Sequence, residues 1–213
     1  MKSIKIIIQI IIFLTLTIRN IYSNKICNIY NDHYRGEFIY AASNSNKHNL
    51  LRRDIFTWHP VQDKNIVKHA KMGIMGFNQQ DDQSIWELIP VENRMNTYLI
   101  RNVKYGEYLY ASSFFRQLLV SNRRMVYTWK KSKHEMDGKD YYMWEMREPF
   151  VMMDHQKTSK SSFEPAKFTI WNVAYNEPLY AASRLFATNF RRSVFTFHKK
   201  PDDDKFNWFL VCK

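Results

Sequence analysis

A chain of 213 residues with 45% hydrophobic and 16% aromatic side chains is long enough for one well-cored domain and too apolar for a disordered basic tail. Its 32 Lys and Arg against 20 Asp and Glu give a net charge of +12, which favours association with anionic surfaces. Only Cys27 and Cys212 are cysteines and only five residues are glycine, which excludes Cys-x-x-Cys zinc and dithiol motifs and collagen-like architectures.

At the N-terminus, Lys2 and Lys5 precede an apolar run from Ile6 to Leu16, broken only by Gln9 and Thr15, and Ser23 follows as a small residue. A basic start, a short apolar stretch and a small residue before a cut describe a secretory signal peptide over residues 1–23. A membrane anchor is the alternative, but a spanning helix needs ~20 apolar residues and this run meets Arg19 and Asn20 first. Cleavage takes away Lys2, Lys5 and Arg19 and no acid, so the mature chain keeps a net charge of +9. No Asn-x-Ser/Thr triplet occurs, so no N-glycan is expected.

The first predicted strand is Ile26 to Tyr30. It leads through Gly36 into Glu37-Phe38-Ile39-Tyr40-Ala41-Ala42-Ser43, then Arg52-Arg53-Asp54-Ile55-Phe56-Thr57-Trp58, then Ile85-Trp86-Glu87-Leu88. The same four segments return in the same order. A second copy reads Leu99 to Val103, Glu107-Tyr108-Leu109-Tyr110-Ala111, Arg123-Arg124-Met125-Val126-Tyr127-Thr128-Trp129 and Met143-Trp144-Glu145-Met146. A third reads Phe168 to Val173, Glu177-Pro178-Leu179-Tyr180-Ala181, Arg191-Arg192-Ser193-Val194-Phe195-Thr196-Phe197 and Asn207-Trp208-Phe209-Leu210. The glutamate blocks are offset by 70 residues both times, and such a period marks a repeat architecture.

The segments are short, aromatic and β-branched, bounded by turn residues, and none sustains a helical apolar period, so all read as strands. Gly36, Gly106 and Asn176 fall between the first and second strand of each copy, where a tight hairpin needs a residue tolerant of positive φ. Three copies of four antiparallel strands are the arithmetic of an all-β fold, a pseudo-threefold β-trefoil, with repeats at about 26–90, 97–147 and 167–213 forming one domain over 24–213. A solenoid is the alternative, but three β repeats close more readily than they stack. The gap from the aromatic end of the arginine strand to the closing tryptophan is 28, 15 and 11 positions in the three copies. This places one loop insertion at 60–83 in the first repeat and another at 147–167 between the second and third.

Cys27 lies in the first strand and Cys212 next to the last residue, and a barrel that closes brings its first and last strands together, so a disulfide is expected. The chain-entropy model gives such a long loop closure a value of order 5 kcal/mol. Two free thiols would require a reducing compartment, against the expected secretory route.

Catalytic signatures are missing: the chain has no Gly-x-Ser-x-Gly, no His-Glu-x-x-His and no phosphate-cradling glycine loop. Its seven histidines never pair at metal-ligand spacing, and Asp202-Asp203-Asp204 reads as a solvated turn, without the calcium-loop pattern. No enzymatic activity, cofactor or metal is expected. The repeated feature with chemical potential is basic. Each copy carries an arginine pair, and Glu37, Glu107 and Glu177 repeat as faithfully, which points to an internal ion pair that occupies one arginine per copy. The other is free for sulfate, phosphate or carboxylate groups. The sequence leaves open which arginine of each pair faces out; the expectation places Arg53, Arg124 and Arg192 in the outward set, with Lys130, Lys131, Lys199 and Lys200 beyond them, and Arg52, Arg123 and Arg191 in the framework set.

The phrase Asn-Val-x-Tyr-x-Glu-x-Leu-Tyr-Ala appears twice, at Asn102 to Ala111 and at Asn172 to Ala181. With it the chain resembles an insect-type secreted β-trefoil. It is similar over residues 26–213 to the C-terminal trefoil domain of the insect haemolymph lipoproteins of about thirty kilodaltons, without their helical N-terminal domain. The resemblance implies a storage or lipid-associated role as one expectation. Ricin-type lectin repeats carry Gln-x-Trp, and here only Gln83 stands near its tryptophan, three positions ahead of Trp86. The reading that charge and repeat favour is a secreted, non-enzymatic protein that binds an anionic glycan or an acidic protein. A trefoil-class protease inhibitor acting through the 60–83 loop is a further alternative, and a secreted chain seldom meets nucleic acid.

Overall fold

The structure is a computed structural model and describes residues 24–34, 37–45, 50–58, 82–115, 122–130, 139–148, 167–185, 191–198 and 203–212. The expected signal peptide, Gly36 and most of both loop insertions lie outside these residues.

Among the described residues there are twelve strands: β1 (Lys25–Asn31), β2 (Phe38–Ala41), β3 (Arg52–Trp58), β4 (Ile85–Pro90), β5 (Thr97–Asn102), β6 (Tyr108–Phe115), β7 (Arg123–Trp129), β8 (Met143–Arg147), β9 (Lys167–Asn172), β10 (Glu177–Leu185), β11 (Arg191–Phe197) and β12 (Asn207–Cys212). A single 3-10 turn precedes each of β4, β8 and β12, at Asp82–Ser84, Asp140–Tyr142 and Asp204–Phe206. Every pairing is antiparallel. Strands β1, β12, β9, β8, β5 and β4 pair in that order and β4 returns to β1, closing a six-stranded barrel. The hairpins β2–β3, β6–β7 and β10–β11 stand at one end of it. Their second strands pair with one another, β3 with β7, β7 with β11 and β11 with β3, as a triangular cap. This is the β-trefoil, with pseudo-threefold symmetry. Closure leaves the barrel no free edge.

Strand alternation sends every second side chain into the barrel. Trp86, Trp144 and Trp208 are fully buried there, and each indole N–H donates to a backbone carbonyl of its own repeat: Ile39 at 3.0 Å, Leu109 at 3.1 Å and Leu179 at 3.2 Å. The next layer inward from the cap holds Ile29, Ile100 and Ile170, each directly across from Leu210, Leu88 or Met146. Large rings at the capped end and aliphatic side chains below them fill the axis at close packing. Buried Asn31, Asn102 and Asn172 turn the chain out of the barrel; their amides donate to carbonyls of Lys205, Gln83 and Tyr141. Gly106 and Asn176 then take φ values of 63° and 49°, the left-handed conformation that the hairpins require.

Cys27 and Cys212 face each other in the β1–β12 register and form a disulfide that joins the first barrel strand to the last. No helix among the described residues is long and apolar enough to cross a membrane.

Candidate functional site: the arginine pairs of the cap

The aliphatic residues Ile55, Val126 and Val194 are buried in the central core. Alternation therefore puts their neighbours two positions earlier, Arg53, Arg124 and Arg192, on the same inward side of β3, β7 and β11. Arg53 Nε donates to Glu107 at 3.0 Å, Arg124 Nε to Glu177 at 3.0 Å and Arg192 Nε to Glu37 at 2.9 Å. Each glutamate belongs to the next repeat, so the three pairs run from repeat 1 to 2, 2 to 3 and 3 back to 1. The carboxylates are also held from their own repeats: the hydroxyls of Thr57, Thr128 and Thr196 donate to Glu37, Glu107 and Glu177. The guanidiniums are held likewise, donating to the carbonyls of Ser43, Ser112 and Ser183 at 2.6, 2.8 and 2.7 Å. Tyr105, Tyr175 and Tyr34 complete the arrangement, their rings lying 3.7, 3.4 and 3.6 Å from the centres of the three guanidiniums. Burial pushes the phenol pKa of Tyr175 and Tyr34 up, with the adjacent Arg124 and Arg192 charges opposing it.

The expectation of an outward role for Arg53, Arg124 and Arg192 is thereby corrected: their donors are directed to internal carboxylates and carbonyls. Arg124 is 4% exposed and Glu177 2%, and a charge pair desolvated to that degree needs its full set of partners. The internal ion pair anticipated from the repeated glutamates exists, but it takes the second arginine of each pair. The signal that distinguishes them was in the sequence. In Arg-Arg-x-Ile/Val-x-Thr the second arginine shares strand parity with the buried aliphatic residue and with the threonine.

The first arginines point to the other side of the same strands, away from the central core, and rest on aromatic rings of a neighbouring repeat. Arg52 stands over Trp129 at 4.2 Å, Arg123 over Phe195 at 4.5 Å and Arg191 over Tyr40 at 5.5 Å. Arg191 is exposed, Arg52 and Arg123 are half-buried, and the Nε atoms of Arg52 and Arg123 are buried without a hydrogen-bond partner. Among the described residues no carboxylate pairs with any of the three. Lys130 is exposed at the end of β7, its backbone N–H donating to the Leu51 carbonyl beside Arg52. Lys131, Lys199 and Lys200 lie outside the described residues. The inner ring of arginines and glutamates cancels in charge, whereas Arg52, Arg123, Arg191 and Lys130 leave the cap basic. Among the outward positions of β3, β7 and β11, Asp54 is the one acid.

Among the described residues no group of three His, Cys, Asp or Glu side chains is placed to hold a metal ion. His198 stands 73% exposed with Nδ1 at 3.8 Å from Glu177.

No protein-family model matches the chain, and no curated protein matches its sequence. Solved structures do match in fold. A salivary protein of the Cysteine and Tryptophan-Rich family from Culex quinquefasciatus is similar at 17% identity and a TM-score of 0.51, over 89% of this chain and 94% of its own. The SDF2-like protein of Arabidopsis thaliana is similar at 8% identity and a TM-score of 0.58, over 88% and 92%. ThreeFoil, a designed protein of threefold symmetry, is similar at 12% identity and a TM-score of 0.51, over 87% and 97%. At these identities the likeness is one of fold.

Proposed function

We propose that this protein is a secreted, non-enzymatic binding protein that takes an anionic extracellular ligand, a sulfated glycan or an acidic protein, on its hairpin cap. The observation that carries the reading is the set Arg52, Arg123 and Arg191: three guanidiniums at symmetry-related positions, seated on aromatic rings and without an acidic partner among the described residues. A guanidinium laid on a ring is pre-ordered, so less side-chain entropy is lost when its N–H groups meet an oxyanion. The apolar run Ile6 to Leu16 behind its basic start and the disulfide support the secreted route, and one of the neighbours in fold is itself a salivary protein. The storage or lipid-associated alternative rests on the shared Asn-Val-x-Tyr-x-Glu phrase. Its Asn, Tyr and Glu are the residues that build the hairpin and the inner ring, so the phrase speaks for the fold more than for cargo.

Heparin affinity at graded salt tests the proposal. Replacing Arg52, Arg123 and Arg191 together by glutamine is expected to weaken binding at least tenfold and to flatten its salt dependence, because screened surface charges are what the salt acts on. Thermal unfolding should change little. Wild-type protein that fails to bind heparin or acidic glycans at near-physiological salt overturns the reading, as does a triple variant that binds undiminished.

A further inference from the structure

We infer that the open end of the barrel is a second binding site, for a small neutral amphiphile with an apolar body and one uncharged polar end. A cavity of about 540 Å³ lies there, at the end opposite the cap, where β1, β5 and β9 begin and β4, β8 and β12 finish. All six barrel strands contribute to its lining, through Lys25, Leu88, Tyr98, Met146, Phe168 and Leu210. Its volume lies within the range typical of small-ligand pockets, ~300–1,000 Å³.

The cavity has a cause in the repeat. Register makes Cys27, Tyr98 and Phe168 equivalent, each directly opposite its own repeat's tryptophan: Trp86, Trp144 and Trp208. Repeats 2 and 3 place an aromatic ring at this level and repeat 1 places a half-cystine, so the mouth lacks its third ring. The apolar walls are not fully closed over: Tyr98, Phe168 and Leu210 pack on the core yet remain only partly buried. They offer apolar surface to whatever enters.

The rim decides the charge of the occupant. Lys25 and Arg147 face Glu145 and Glu148 around the opening, and Arg147 already donates to Glu145 at 2.6 Å. Among the described residues of the lining, two cations against two carboxylates give no net field to draw an ionic head group. Asn96 at the same rim supplies an uncharged polar partner. This distinguishes the mouth from the cap, where Arg52, Arg123, Arg191 and Lys130 leave a positive field.

Calorimetry on the full chain with 1-octanol, octanoate and octylamine tests the inference. The expected result is one 1-octanol per chain, with both charged probes at least tenfold weaker, and an affinity indifferent to salt and to saturating heparin. Leu210→Trp should fill the mouth and cut 1-octanol affinity at least tenfold. Phe168→Ala should widen it and shift preference towards 1-decanol, and this arm decides the matter should Leu210→Trp fail to fold. Absence of 1-octanol binding to the wild type, tighter binding of either charged probe, or folded variants with wild-type affinity and chain-length preference would overturn the site. Heparin binding at the cap is measured separately, so either proposal can fail without the other.

Discussion

Each inner-ring arginine of the cap is fastened on several sides: a carboxylate from the next repeat, a serine carbonyl from its own and a tyrosine ring. Removing one partner of such a group strands the other without solvent, which costs about 3–5 kcal/mol for a buried pair. Arg124→Ala is therefore expected to lower unfolding free energy by about that amount in urea titration. Arg53→Ala and Arg192→Ala should cost less, because those side chains are 16% and 13% exposed against 4% for Arg124 and water replaces part of what is lost. Asp203 is a residue with a pH signature. Partial burial opposes its ionisation, but hydrogen bonds from the Lys205 ammonium and backbone N–H prevail and hold its carboxyl below the usual range. A depressed folded pKa stabilises above the unfolded value and the contribution is lost as pH falls through the folded one. Wild-type stability should therefore decline through that acidic window more steeply than that of Asp203→Asn, as read by thermal melts across pH.

At the scale of strands and hairpins, alternation does the sorting. It sends one arginine of each pair to the glutamates and the other to the aromatic rings, and it stacks Trp, Ile and Leu or Met down the barrel axis. The turns are equally local. Gly106 at φ 63° has open space around the position of a Cβ, so a substitution there meets backbone strain and no clash. Asn176 holds the equivalent place in repeat 3 at φ 49°. Gly106→Ala is accordingly expected to cost roughly 1–2 kcal/mol and Gly106→Asn distinctly less, since asparagine tolerates the left-handed region. Chemical denaturation of the two variants side by side checks the difference.

For the whole molecule, the cycle of ion pairs from repeat 1 to 2, 2 to 3 and 3 to 1 does for the cap what strand pairing does for the barrel: no repeat is complete without its neighbours. The disulfide at Cys27 and Cys212 spans 185 positions of sequence and ties the seam at which the barrel closes. Its main effect is to restrict the unfolded chain, by at most about 5 kcal/mol in the chain-entropy model. The Cys27→Ala/Cys212→Ala double variant is expected to unfold at lower denaturant with a larger m-value, because the released chain exposes more surface. An unchanged midpoint would show that the rest of the barrel holds the seam unaided.

Local sequence determined the repeat, the four strands in each copy, the trefoil they form, the cysteine pair and the existence of a glutamate–arginine framework. All of these follow from alternation, turn chemistry and recurrence within tens of residues. Parity with Ile55, Val126 and Val194 also held the answer to which arginine turns inward, a reading that the bare repetition of Arg-Arg obscured. Tertiary structure alone decided that Arg53 answers Glu107 and not Glu37, that Arg52 finds Trp129, and that Cys27 stands at the barrel level where the other repeats place a ring. These are meetings between strands of different repeats, or between residues far apart in the chain. Their partners are set by the register of barrel closure, which depends on how all twelve strands pack at once.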